Sequence, residues 1–110
     1  MATRAVTSAE FEQLVSSNDL VLFDFWATWC GPCKAFGLVF EAASEANPDI
    51  VFAKVDIDQN QDLAAAAGIS AVPTLMIAKK GKIVFKQAGA LRASDLDDLI
   101  AQAKKLDVAE

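Results

Sequence analysis

The sequence predicts an α/β fold, a mixed β-sheet with helices on both faces. Three observations predict it. Helix and strand patterns alternate through the first part of the chain. The early strand candidates are nearly unbroken apolar runs, as in strands covered on both faces. The last two strand candidates flank a tight turn, which adds an antiparallel hairpin to the alternating units. A length of 110 residues suits one domain across residues 1–110, long enough to bury a core.

The elements follow in order. A short strand can precede Thr7. Thr7 and Glu10 have capping-box spacing, and Phe11, Leu14 and Val15 continue at helical steps until Asn18-Asp19. Leu20 to Trp26 reads as a buried strand. A second helix begins near Cys30, with Cys33, Phe36, Phe40 and Ala43 on its inward face, and Asn47-Pro48 ends it. Ile50 to Asp56 is the next strand. Gln61 to Ala67 is alanine-rich and helical, stopped by Gly68. Thr74 to Ala78 and Ile83 to Gln87 flank "KKGK", where Gly81 supplies the turn. Ser94 opens the last helix, with Asp97 three residues on and Leu96, Leu99, Ile100 and Ala103 as its buried stripe.

Composition narrows the function. Hydrophobic residues are 54% of the chain and charged residues 23%, a globular balance. The net charge of -5 argues against nucleic acid or an anionic membrane as partner. No apolar run approaches the ~20 residues of a membrane span. "MATRAVTSAEF" lacks an apolar signal core, so a cytoplasmic location is expected. Histidine is absent, which removes Cys–His and Ser–His mechanisms and the commonest metal ligand.

The only two cysteines lie in Cys30-Gly31-Pro32-Cys33, where strand gives way to helix. Free N–H groups and the helix dipole favour an anion there, so the Cys30 thiol is expected to titrate below the usual ~8.5, with Lys34 adding positive charge. Gly31 lets the backbone tighten, and Pro32 fits a first turn that needs no N–H. Cys33 falls one turn on, within reach of a disulfide to Cys30, so it can resolve a mixed disulfide intramolecularly. The alternatives are a structural disulfide, zinc shared between two chains, and inert core cysteines.

Asp24 stands inside the apolar run Leu20 to Phe25. Burial would raise its pKa and let it exchange a proton near neutral pH. The alternative is a strand-end aspartate that reaches solvent or pairs with a cation. Lys54 alternates with Ala53 and Val55, so it can share a sheet face with Asp24 as its electrostatic partner, or simply extend to water.

"WCGPCK" after "FDFWAT" resembles the thioredoxin family, and "KVDIDQN", "VPTL" and "GAL" extend the likeness along most of the chain. The resemblance implies a three-layer thioredoxin-like fold with a four- or five-stranded mixed sheet and four flanking helices. It implies a protein-disulfide reductase with no bound cofactor, its redox group being the Cys30–Cys33 disulfide. Cys30 would be the nucleophile and Cys33 the resolving cysteine, with Asp24 accepting its proton through water. Gly31-Pro32 is the dipeptide of reducing members. Pro73 is expected to be cis and to expose the Val72 backbone near Cys30, so that a client segment can pair there as an added strand. Trp29 would offer the client a flat apolar contact, and Trp26 would pack in the interior. Gly89 would keep the backbone low beside the groove.

Implied partners are client proteins with exposed disulfides and an NADPH-dependent thioredoxin reductase, and a monomer is expected. One departure stands out. Where the family has a helix-kinking proline five residues after the second cysteine, this chain has Gly37-Leu38, so a straighter helix is expected. The rival reading is a thioredoxin-fold binding subunit or folding helper whose dithiol is not essential.

Overall fold

Five strands form one mixed sheet in the order β1-β3-β2-β4-β5 in the computed structural model, which describes residues 2–108. The strands are β1 (Thr3–Ala5), β2 (Leu20–Trp26), β3 (Val51–Asp56), β4 (Thr74–Lys79) and β5 (Lys82–Ala88). The helices are α1 (Ser8–Ser17), α2 (Gly31–Ala46), α3 (Gln61–Ala66) and α4 (Ala93–Lys105). β1 and β2 pair parallel to β3, whereas β4 runs antiparallel to both β2 and β5. The predicted short first strand is present, and the sheet has the larger of the two expected strand counts.

The pleat divides the core into two layers. Leu20 and Leu22 of β2, Phe52 of β3, and Leu75 and Ile77 of β4 pack against Phe36 and Phe40 of α2 and Leu96 and Ile100 of α4. The intervening residues Val21, Phe23, Phe25, Val55 and Met76 pack against Leu14 of α1 and Leu63 of α3. Each face of β2 is therefore covered, which is why its sequence is apolar without alternation. Asp24 belongs to the even-numbered set, so it points under α2 in place of an aliphatic side chain.

Local chemistry sets the element ends. The Thr7 N–H and hydroxyl both donate to Glu10 Oε1 at 3.0 Å, which starts α1 and holds the Glu10 carboxyl below its usual range. The Ser8 N–H donates to Asn60 Oδ1 at 2.9 Å, tying α1 to the approach to α3. Asn47 caps α2, its side-chain amide donating to the Ala43 carbonyl at 2.9 Å. Gly68 ends α3 at a φ of 69°.

Several boundaries differ from the sequence reading by a residue. The hairpin turn places both Lys80 (φ 51°) and Gly81 (φ 82°) in the left-handed region, a two-residue turn that lets β4 run on to Lys79. Lys79 is buried, and its ammonium donates to the carbonyls of Ala103 (2.5 Å) and Lys104 (2.9 Å), satisfying the end of α4. α4 starts at Ala93, with Arg92 in the N-cap position paired to Asp95 at 3.3 Å; Ser94 lies within the first turn.

α2 is one continuous helix of 16 residues through Gly37-Leu38. Leucine keeps the backbone N–H that a proline would remove, so nothing interrupts the ladder.

Candidate active site

The carboxyl end of β2 leads through Ala27 to Trp29 into α2. Cys30 occupies the N-cap of that helix with an extended backbone (φ -94°, ψ 113°), and Pro32 lies in the first turn. The Cys33 N–H donates to Cys30 Sγ at 3.2 Å. One of the free amides at the helix start is thus aimed at the sulfur. An amide so placed favours negative charge on the atom it faces. Cys30 and Cys33 are joined as a disulfide with their Cα atoms 5.3 Å apart, within the usual span for such bonds. Both residues are buried in a small cluster with Ala27, against which Trp26, Ile57 and Val72 pack. Gly31 and Pro32 are both exposed between them.

A second segment meets the pair from across the sheet. The Val72–Pro73 peptide bond is cis, and Cys30 Sγ lies 3.6 Å from the Val72 carbonyl oxygen. The Thr74 hydroxyl donates to the Ala71 carbonyl at 2.6 Å, which fixes the approach to β4. The Gly89 N–H donates to the Pro73 carbonyl at 2.8 Å. Gly89 has a φ of 107°, a conformation that a side chain disfavours, and it is exposed. Val72, Pro73 and Gly89 are therefore brought together on one side of Cys30. Trp29 lies on the surface of the same loop, 69% exposed. Its Nε1–H donates to Asp58 Oδ2 at 2.9 Å, which orients the ring.

Asp24 is fully buried on the β2 face beneath α2, with 0% exposure. Its neighbours across the sheet are Lys54 on β3 and Leu75 on β4. Neither carboxylate oxygen has a hydrogen-bond partner among the described residues. Burial pushes its pKa up to about 7, and the Lys54 charge pulls the other way. Lys54 forms no ion pair with it. The ammonium lies 5.2 Å from the centre of the Trp26 ring. A Cβ at Gly37 would sit 3.5 Å from the same ammonium, so α2 passes close above it. Trp26 is only half-buried, at the edge of the core rather than inside it, with its ring against this lysine.

A cleft of about 440 Å³ opens between α2 and β3, lined by Trp26, Cys33, Lys34, Leu38 and Lys54 among others. It gives the buried sulfur and the lysine a common opening. The arrangement can hold a sulfur anion at the N-cap of α2. It also places a carboxyl able to gain or lose a proton near pH 7 beneath the helix that carries Cys33. Among the described residues no group of three or more potential ligands could hold a metal.

Sequence reasoning missed Asp58, the acceptor that fixes Trp29. It lies in "KVDIDQN", and only the loop after β3 folding back to Trp29 reveals its use. The Ile57 N–H donates to the Trp26 carbonyl at 3.0 Å and anchors that loop.

Known proteins share the fold. The family model described as Thioredoxin matches residues 2–102. A provisionally named thioredoxin 2 of Streptomyces coelicolor is 54% identical over 99% of this chain and 81% of its own length. Thioredoxin-1 of Saccharomyces cerevisiae is 41% identical over 94% of this chain and 100% of its own. The solved structure of a thioredoxin from Plasmodium falciparum superposes with a TM-score of 0.84. It is 38% identical and covers 91% of this chain and 98% of that one.

Proposed function

Since the chain belongs to the thioredoxin family, we propose a residue-level route by which it reduces protein disulfides. It is a thiol–disulfide oxidoreductase whose redox group is its own cysteine pair, with no further cofactor. The route begins with the reduced form. The Cys30 thiolate attacks one sulfur of an exposed client disulfide, the other client sulfur leaves as a thiolate, and a mixed disulfide forms. Cys33 loses its proton to Asp24 through an intervening water. Its thiolate then attacks Cys30 Sγ, releasing the second client sulfur and closing the Cys30–Cys33 bond. Two electrons pass from the dithiol to the client.

The observation that carries this reading is the hydrogen bond from the Cys33 N–H to Cys30 Sγ at a helix N-cap, above a buried, unpartnered carboxyl. The client chain lies along the Val72 backbone, kept open by Pro73 and by the side-chain-free Gly89, with Trp29 as an apolar contact. Lys54 acts on Asp24 through space. An NADPH-dependent thioredoxin reductase regenerates the dithiol in the cytoplasm, and the chain works as one monomeric domain.

Trapping tests the proposal. Cys33→Ser is expected to accumulate a mixed disulfide with a protein substrate such as insulin, and Cys30→Ser to form none and show no reductase activity. Full activity in both variants would refute the mechanism. Retention of biological function by the double Cys→Ser variant would favour a binding subunit or folding helper instead.

A further inference from the structure

The cleft between α2 and β3 brings together an exposed apolar side chain that the chemistry above does not use and two cations. Leu38 is 76% exposed, the most exposed large apolar side chain of the described residues, and it lines the cleft. Lys34 and Lys54 line the same cleft, a pair of cations on a chain of net charge -5. The third charged group there, Glu41, is already engaged. Its carboxylate accepts hydrogen bonds from the Ala2 N–H at 3.0 Å and the Thr3 hydroxyl at 2.6 Å, which turn it toward β1. The cleft therefore presents an apolar rim beside positive charge, next to Cys33.

We propose that this cleft is a second contact surface for disulfide-bearing client proteins, taking a client segment with an apolar side chain beside a carboxylate, and that Leu38 is a specificity-determining residue. The proposal rests on the disulfide-reductase reading given above. Its occupant follows from charge complementarity and from continuity with the sulfur site. From Cys30 to Leu38 the helix advances about 12 Å at 1.5 Å per residue. An extended client chain spans that distance in about four residues at ~3.3 Å each. A segment flanking the attacked disulfide thus reaches the cleft without distortion. The apolar contact with Leu38 would exclude water around the charge pair, and the lysines would fix the direction of the segment.

The test uses quenched fluorescent peptides in which one cysteine is disulfide-linked to the quencher. The residues about four positions from that cysteine are Leu-Glu, Leu-Lys or Ser-Glu. Bis(2-hydroxyethyl) disulfide serves as a substrate with no flanking chain. The wild-type chain is expected to favour Leu-Glu over Leu-Lys by about fivefold in kcat/KM, with the ratio shrinking as salt is raised. Leu38→Ser is expected to lose about fivefold on Leu-Glu while leaving Ser-Glu and the small disulfide unchanged. Leu38→Met is expected to keep the wild-type preference. Equal rates on all three peptides, or a Leu38→Ser loss of the same size on every substrate, would overturn the proposal. A wild-type chain that reduces none of the substrates would overturn the reductase reading itself.

Discussion

Asp24 and Lys54 lie directly opposite each other on β2 and β3, yet no hydrogen bond or ion pair joins them. The carboxyl is enclosed beneath α2, and the ammonium turns to the Trp26 ring at 5.2 Å. The lysine therefore acts on the carboxyl only through space, and burial dominates the Asp24 titration. An unpaired buried carboxyl is unfavourable for the fold, so its presence has measurable consequences.

The first concerns stability against pH. Asp24 titrates at about 7 in the folded chain, against a reference of 3.8. Below the reference value the group is neutral in both states and contributes no penalty. Between the two values the unfolded chain releases the proton and the folded chain retains it, so stability falls as pH rises. Above about 7 the full penalty is present, on the order of 4 kcal/mol. Urea unfolding of wild type and Asp24→Asn should show a stability difference that shifts in favour of the variant by about that amount between pH 4 and pH 8. A difference independent of pH would contradict the burial account.

The second concerns rate. If Asp24 accepts the Cys33 proton, Asp24→Asn should slow release of the client from the mixed disulfide by about 10- to 100-fold near pH 7. Formation of the mixed disulfide at Cys30 should be nearly unchanged. Stopped-flow fluorescence separates the two steps. Equal slowing of both would place the role of Asp24 elsewhere.

The third isolates Lys54. Its charge lowers the Asp24 pKa, so Lys54→Gln should raise it further. A carbon-13 NMR titration of the Asp24 carboxyl reads this directly. The Trp26 emission should shift as well, because the cation leaves its ring. An unchanged or lowered Asp24 pKa would remove Lys54 from the electrostatics of the site.

The fourth concerns Gly37. A Cβ there meets only the Lys54 ammonium, at ordinary contact distance. Gly37→Ala should therefore stabilise α2 by about 0.5–1 kcal/mol, the usual gain for replacing a mid-helix glycine. Thermal unfolding checks it, and a loss of stability would show that α2 lies closer to Lys54 than described.

The pattern of success across the chain has physical causes. β2 was legible because both its faces are covered, leaving an apolar run interrupted only by Asp24. The inward face of α2 was legible because Cys33, Phe36, Phe40 and Ala43 repeat at helical spacing and are all buried. Lys79 was not legible. A lysine beside a turn reads as solvated, and only the arrival of the α4 carboxyl end supplies its two carbonyl acceptors. Lys80 hid for a related reason, since a left-handed lysine leaves no mark in composition. At the site, the CxxC spacing and Asp24 stood out as exceptions to local pattern. The positions of Val72, Pro73 and Gly89 beside Cys30 depend on strand order, which spacing alone cannot supply. Asp58 was missed because its partnership with Trp29 crosses between two loops.

The thiolate at Cys30 is the claim on which the rest depends, and alkylation of the reduced chain tests it most directly. Iodoacetamide modification followed by mass spectrometry across pH 4 to 10 gives the rate at each cysteine. Cys30 should react with a midpoint well below the ~8.5 of a free thiol, while Cys33 stays largely unmodified. Neither cysteine reacting faster than free cysteine at neutral pH would contradict the account.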